Sequence, residues 1–186
     1  AMYKAKQEGK NRYQVFDAEQ DRSVRGHNEN LDRIRRALID QEFVLYYQPK
    51  VNMRNGTIIG AEALIRWQHP EKGLLPPSEF LPLIEEHPLA IEVGEWVIDT
   101  ALTQVSIWQA DGMHVPVSVN IGALELQQDN FVERLTSIIA AHPNFKAGDL
   151  ELEILETSAL QDVVQISKIV KACQTHGVSF ALDDFG

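Results

Sequence analysis

From Phe43 onward the chain alternates short apolar runs with longer segments of helical period, and this alternation limits the fold more than any other feature. Strand-like runs cover Phe43 to Pro49, Thr57 to Arg66, Val115 to Ile121, Leu150 to Leu155 and Val178 to Leu182. Helical patterns cover Ser78 to Glu86, Ala90 to Ala110, Gln128 to Ala141 and Gln161 to His176. A strand that reaches the next strand through a helix makes a crossover, and crossovers lay strands parallel, so this order predicts an α/β fold. Between the first two runs, Asn55-Gly56 is a tight-turn signal, which makes those two strands antiparallel.

Polar oxygens stand at the carboxyl ends of these runs. Five strands with chemistry gathered there favour a barrel over an open sheet. Phe43 to Gly186 is 144 residues, whereas an eight-fold barrel takes about 250. The expected architecture is therefore a partial TIM-type (β/α)8 barrel with an antiparallel first strand, truncated after about the fifth strand. Such a truncation leaves unpaired backbone at two edges.

The first 40 residues read differently. Residues 1–17 read as the last turns of a helix, a glycine stop and a short strand, too little to bury a core and so the end of something longer. Ala18 to Asn30 is polar and reads as a connector; Asn30 then caps a helix on which Leu31, Ile34 and Leu38 form an apolar stripe. The expected division is 1–17, 18–40 and 41–186.

Glu62, Leu64 and Arg66 alternate along the second run, so one strand turns a carboxylate and a guanidinium toward the same face. Later strand ends add Asn120, Glu153 and the adjacent pair Asp183 and Asp184. Carboxylate and amide oxygens are the ligands of a hard cation, Mg²⁺ or Mn²⁺; zinc would favour His or Cys. In a strict strand Asp183 and Asp184 point to opposite faces, but the Phe185-Gly186 turn lets both reach one mouth, where they could bridge two ions. Each acid alone is more simply a solvated strand end or a helix cap; the joint pattern carries the reading. Glu151 alternates with Glu153, and periodicity leaves open which of them faces inward. Glu156 reads as a helix-entry residue.

The formal charge is −10, with 17 Lys plus Arg against 27 Asp plus Glu, so a basic face for duplex nucleic acid is excluded. An anionic ligand would need bound cations or a local arginine such as Arg66, whose guanidinium suits a phosphate oxygen. Gln48 ends its strand where it either reads a base edge or satisfies a loop carbonyl. His69, His87 and His142 each precede proline and mark turns; Cys173 and the three tryptophans read as core. No apolar run is long enough to span a membrane, and no export signal opens the chain.

Taken in order, Tyr47-Gln48-Pro49, Glu62-Ala63-Leu64 with Arg66, Pro77-Ser78-Glu79-Phe80, Ser118-Val119-Asn120, Glu151-Leu152-Glu153-Ile154 and Asp183-Asp184-Phe185-Gly186 resemble the EAL domain of cyclic di-GMP phosphodiesterases. The resemblance runs from about Gln41 to the last residue. Residues 1–17 resemble the closing segment of a GGDEF domain, the diguanylate cyclase module that commonly precedes EAL, without its catalytic residues.

This resemblance implies a modified TIM-type barrel that hydrolyses one phosphodiester of cyclic di-GMP to the linear dinucleotide with Mg²⁺ or Mn²⁺. Glu62, Asn120, Glu153 and Asp183 map to metal ligands and Asp184 to a second metal. Glu62, Asp183 and Asp184 carry the catalysis, and Gln48, Leu64 and Arg66 map to substrate contacts. A cytoplasmic location and a homodimer through the same domain are the corresponding expectations. Two positions depart from the family pattern: Leu155 stands where Thr is common in Glu-x-Thr-Glu, and Gly122 where Ser is frequent. The family's catalytic Lys, further acids and a late Gln would fall beyond Gly186, so the expectation is an enzyme in the intact parent and negligible turnover from residues 1–186 alone. The competing expectation is a non-catalytic cyclic di-GMP receptor, but such members usually lose metal ligands, and those visible here are kept.

Overall fold

A computed structural model describes residues 18–155 and 163–183. The segment 1–17, Glu156, Asp184 and the Phe185-Gly186 turn lie outside the described residues, and of Asp183 only the backbone is described.

Six strands form one mixed sheet: β1 (Phe43–Val51), β2 (Ile58–His69), β3 (Gly73–Leu75), β4 (Val117–Ile121), β5 (Leu150–Leu155) and β6 (Ser179–Asp183). Their order is β1-β2-β4-β5-β6, with β3 attached to β2. β1 and β2 pair antiparallel, as the Asn55-Gly56 signal requires. Gly56 takes φ +71°, where a side chain would be strained, and its N–H donates to Asn52 O at 2.8 Å to close the turn. The steps β2–β4, β4–β5 and β5–β6 are parallel. The α/β class and the order of the five principal strands follow the sequence expectation.

Helices α1 (Ala18–Ile39), α2 (Leu89–Ala110), α3 (Ala123–Leu126), α4 (Phe131–Ala140) and α5 (Val163–Thr175) accompany the sheet. Ala63, Ile65 and Trp67 of β2 are buried in one core with Val117, Val119 and Ile121 of β4 and Leu150, Leu152 and Ile154 of β5, and Ala61 is buried as well. From α2, Leu89, Val93, Val97, Ile98, Ala101, Leu102 and Val105 join the same core, spaced to make one helix face. Phe43 sits among the rings of Trp67, Phe80 and Trp96, with centroids 5.6, 5.3 and 5.9 Å away. Cys173 is fully buried in this core, as expected.

Three local expectations change. The helix expected from Asn30 is already present at Ala18, the first described residue, and Asn30 lies in its interior. Polar helix formers such as Glu, Gln and Arg extend a helix without an apolar stripe, so the absence of periodicity hid its first turns. Ser78 to Glu86 is not one helix but two separate 3-10 turns, Pro77–Glu79 and Leu81–Leu83. Pro82 has no N–H to donate and breaks continuity. The segment Gln128 to Ala141 is helical only from Phe131, and the short α3 precedes it.

α1 is pinned to the sheet at Glu42. This carboxylate accepts Arg33 Nη2 at 2.6 Å and Trp67 Nε1 at 2.8 Å, while the Arg33 guanidinium lies 5.0 Å from the Trp67 ring centroid. Burial opposes the Glu42 charge, but the bonds from Trp67 and Arg33 outweigh it and hold its pKa below the usual carboxylate range. His69 and His87 serve turns as expected: His69 Nδ1 accepts the N–H groups of Glu71 and Lys72, and His87 Nδ1 accepts that of Leu89 at the entry to α2.

Candidate functional site

The face of the sheet opposite the helices carries the polar residues, and the strand register sorts them into rows. Gln48 of β1 pairs with Glu62, Glu62 with Ser118, Ser118 with Glu151, and Glu151 with Ser179. The next row toward the carboxyl ends of the parallel strands sets Asn120 beside Glu153 and Glu153 beside Ala181. One row further, Asp183 pairs with Leu155. Glu62, Asn120, Glu153 and the backbone position of Asp183 thus fall in three successive rows on four neighbouring strands.

Within these rows the side chains make specific contacts. Asn120 Nδ2 donates to Glu62 Oε1 at 2.9 Å, joining two predicted metal-binding groups across β2 and β4. Glu153 is the most hidden of the set, 8% exposed. Its Oε1 accepts a short bond from Lys50 Nζ, which also donates to Glu151 Oε1 at 3.1 Å and Ser118 Oγ at 2.5 Å. Ser118 Oγ donates in turn to Glu151 Oε1 at 2.8 Å. Both Glu151 and Glu153 thus lie on the face opposite the helices, resolving what periodicity left open, and a single ammonium serves both.

The electrostatics follow from this sharing. Burial works against the Lys50 charge, but hydrogen bonds to Glu153 and Glu151 outweigh it and hold the ammonium above the ordinary lysine range. Burial likewise opposes ionisation of Glu151, but bonds from Ser118 and Lys50 bring it below the usual carboxylate range.

Arg66 lies on the face shared by Glu62 and Leu64, its Nη1 donating to Ile65 O at 2.8 Å and its guanidinium 5.9 Å from the Tyr46 ring centroid. Gln48 is exposed opposite Glu62, and Leu64 is half-buried opposite Tyr46. Among the described residues, no group of three or more His, Cys, Asp or Glu side chains is arranged to hold a metal ion. The described part of the predicted ligand set is Glu62, Asn120 and Glu153, two carboxylates and an amide, so the amide must supply the third oxygen. This donor chemistry, all oxygen and on adjoining strands, fits a hard divalent cation.

A model of the EAL domain family matches residues 31–186. This chain belongs to the EAL domain family. The bifunctional diguanylate cyclase/cyclic di-GMP phosphodiesterase MucR of Pseudomonas aeruginosa is 37% identical over 188 residues, a match that covers 100% of this chain and 27% of that protein. The cyclic di-GMP phosphodiesterase PdeR of Escherichia coli is 33% identical over 186 residues, covering 100% of this chain and 28% of that protein. The chain therefore spans little more than a quarter of the length of these curated relatives. Among solved structures, the MucR phosphodiesterase in its c-di-GMP complex aligns with a TM-score of 0.80 at 37% identity, over 85% of this chain and 64% of that one. The EAL enzyme Bd1971 with cAMP and cyclic-di-GMP bound aligns with a TM-score of 0.76 at 29% identity, over 88% of this chain and 46% of that one.

This EAL domain holds a second buried acid beside the strand ends that sequence reasoning did not single out. Glu125, in α3 just after the Asn120 strand, is 6% exposed and accepts the N–H of Gly122 at 3.0 Å. Burial pushes its pKa up to about 8; the bond from Gly122 opposes that shift, Glu95 adds to it and Arg134 opposes it. Gly94 of α2 makes room for it, since a Cβ there would overlap the Glu125 carboxyl oxygen. Gly122-Ala123-Leu124-Glu125 has the spacing by which a residue three beyond an N-cap returns to its backbone N–H, which was the available signal. For Lys50 the signal was period two: it stands two residues after Gln48 and so shares its face.

Among the described residues, no helix is long and apolar enough to cross a membrane.

Proposed function

We propose that this EAL domain hydrolyses one phosphodiester bond of cyclic di-GMP, adding water across a P–O bond to yield the linear dinucleotide. The observation that carries this is the contact of Glu62 with Asn120, one row from Glu153, on the open face of a sheet that aligns with a c-di-GMP-bound phosphodiesterase. Glu62, Asn120, Glu153 and Asp183 would hold Mg²⁺ or Mn²⁺, with Asp184 at a second ion. Bound cations of this kind lower the pKa of water and neutralise the phosphoryl oxygens. A domain of net charge −10 needs such cations to accept an anionic substrate.

The chain's own residues supply the rest. Arg66 binds a phosphate oxygen, Gln48 offers its amide to a guanine edge, and Leu64 gives the ligand an apolar contact between them. These three alternate along facing strands of the β1–β2 hairpin, so they contact one ligand from one side. The reading of residues 1–17 as the end of a GGDEF module draws support from MucR, a protein named as bifunctional, which aligns over 100% of this chain.

The test is product analysis on the full-length protein incubated with cyclic di-GMP and Mn²⁺. We expect linear dinucleotide from the wild type and a loss of at least about 100-fold for Glu62→Ala. Equal turnover by Glu62→Ala removes this site from the reaction. Tight binding by the wild type with no product over hours makes the domain a receptor instead.

A further inference from the structure

The ammonium of Lys50 lies against Glu153 and takes no part in the proposed contacts to cation or substrate. Lys50 comes from the end of β1, yet its Nζ crosses the sheet to residues 68, 101 and 103 positions later in the chain. An ammonium has three protons and no acceptor, and here each has a partner: Ser118 Oγ, Glu151 Oε1 and Glu153 Oε1. Ser118 is held as well, since its hydroxyl donates onward to Glu151. The result is a closed polar network on three strands.

We infer that Lys50 is a positioning residue for Glu153, fixing that carboxylate so that its second oxygen is presented to the divalent cation; this rests on the reading of Glu153 as a metal ligand. The bond from Lys50 uses Oε1 of Glu153, and Oε2 is the oxygen it does not engage. Glu151 and Glu153 are two residues apart on one strand and one face. Two carboxylates so placed repel, and a nearly buried one without a countercharge is costly, so without Lys50 the Glu153 side chain would turn outward toward water. Partners that orient a ligating carboxylate commonly change metal affinity by about 10- to 100-fold when removed. The opposing effect, repulsion of the divalent ion by the ammonium, predicts a change of the other sign. The direction of the affinity change therefore decides the matter.

The experiment is a Mn²⁺ titration of the full-length protein without substrate, reading free Mn²⁺ by its electron paramagnetic resonance signal, with thermal melting alongside. Lys50→Met is expected to weaken Mn²⁺ binding by at least about 10-fold. The double variant Lys50→Met/Glu151→Gln removes one negative charge with the positive one. It is expected to melt near the wild type while binding Mn²⁺ as weakly as the single variant. Wild-type affinity in the double variant reduces Lys50 to charge balance and overturns the inference; tighter binding by either variant makes Lys50 a competitor and also overturns it. Glu153→Gln separates the two levels. If it loses Mn²⁺ binding while the Lys50 variants keep theirs, the positioning role alone fails; if it binds like the wild type, Glu153 is not a ligand and both readings fall.

Discussion

Glu153 on β5 and Glu125 in α3 are hidden from water to nearly the same degree, 8% and 6% exposed, and the protein treats them in opposite ways. Glu153 meets an ammonium, shared with Glu151 and Ser118. Glu125 meets a backbone N–H and the space left by a glycine, while the nearby Arg134 guanidinium is bonded to Glu95 instead. On the proposed reading Glu153 must be an anion to hold a cation, whereas burial favours the neutral acid at Glu125. The difference teaches that burial alone does not mark a functional acid; its countercharge does.

The sharpest test of this contrast exchanges the acids for amides. Glu153→Gln is expected to lower turnover of cyclic di-GMP by at least about 100-fold, because a neutral amide oxygen holds a divalent cation more weakly than the carboxylate it replaces; comparable turnover would make the two acids functionally alike. Glu125→Gln keeps an oxygen for the Gly122 N–H and should leave activity near wild type.

Its effect is on stability and has a definite sign. The folded pKa of Glu125, about 8, lies above its unfolded value, so the folded state binds the extra proton between roughly pH 4.5 and 8. The stability this contributes is fully present below about pH 4.5 and is lost as the pH rises through about 8. Glu95 and Arg134 are the charged groups facing it, and they act in opposite directions. Glu125→Gln should flatten the fall in stability between pH 5 and 8, a change on the order of 3 kcal/mol. Denaturant midpoints across that range measure it, and a wild-type profile already flat would show that Glu125 ionises freely.

Gly94→Ala drives a methyl into the Glu125 carboxyl. Overpacking of this kind costs about 1–3 kcal/mol, partly offset by about 1 kcal/mol of helix propensity, and Glu125→Ala in the same chain should relieve it. The smallest effect is expected from Arg134→Met. The Arg134–Glu95 pair is 29% and 35% exposed, and pairs near the surface contribute about 1 kcal/mol or less. A large loss there would mean that Arg134 serves Glu125 after all.

The frame of this molecule was legible because it rests on local signals. Asn55-Gly56 announced the β1–β2 reversal, and the apolar runs of β4 and β5 with helices between them announced parallel neighbours. Glu62, Leu64 and Arg66 were placed on one face by period two, and the register agrees. Local signals are weak or shared in three places. The polar start of α1 resembles a linker, Pro82 splits a segment of helical period, and β3 is three residues held in place by Trp67 and His69 rather than by its own pattern.

Alternation and turn chemistry, written in neighbouring residues, determined the α/β class and the order of the principal strands. Tertiary structure alone decided that Glu151 and Glu153 share the ammonium of Lys50, and that Glu125 lies against Gly94. Periodicity assigns a residue to a face, but which side chains meet across strands depends on register and sheet twist, which are settled only when distant segments pack.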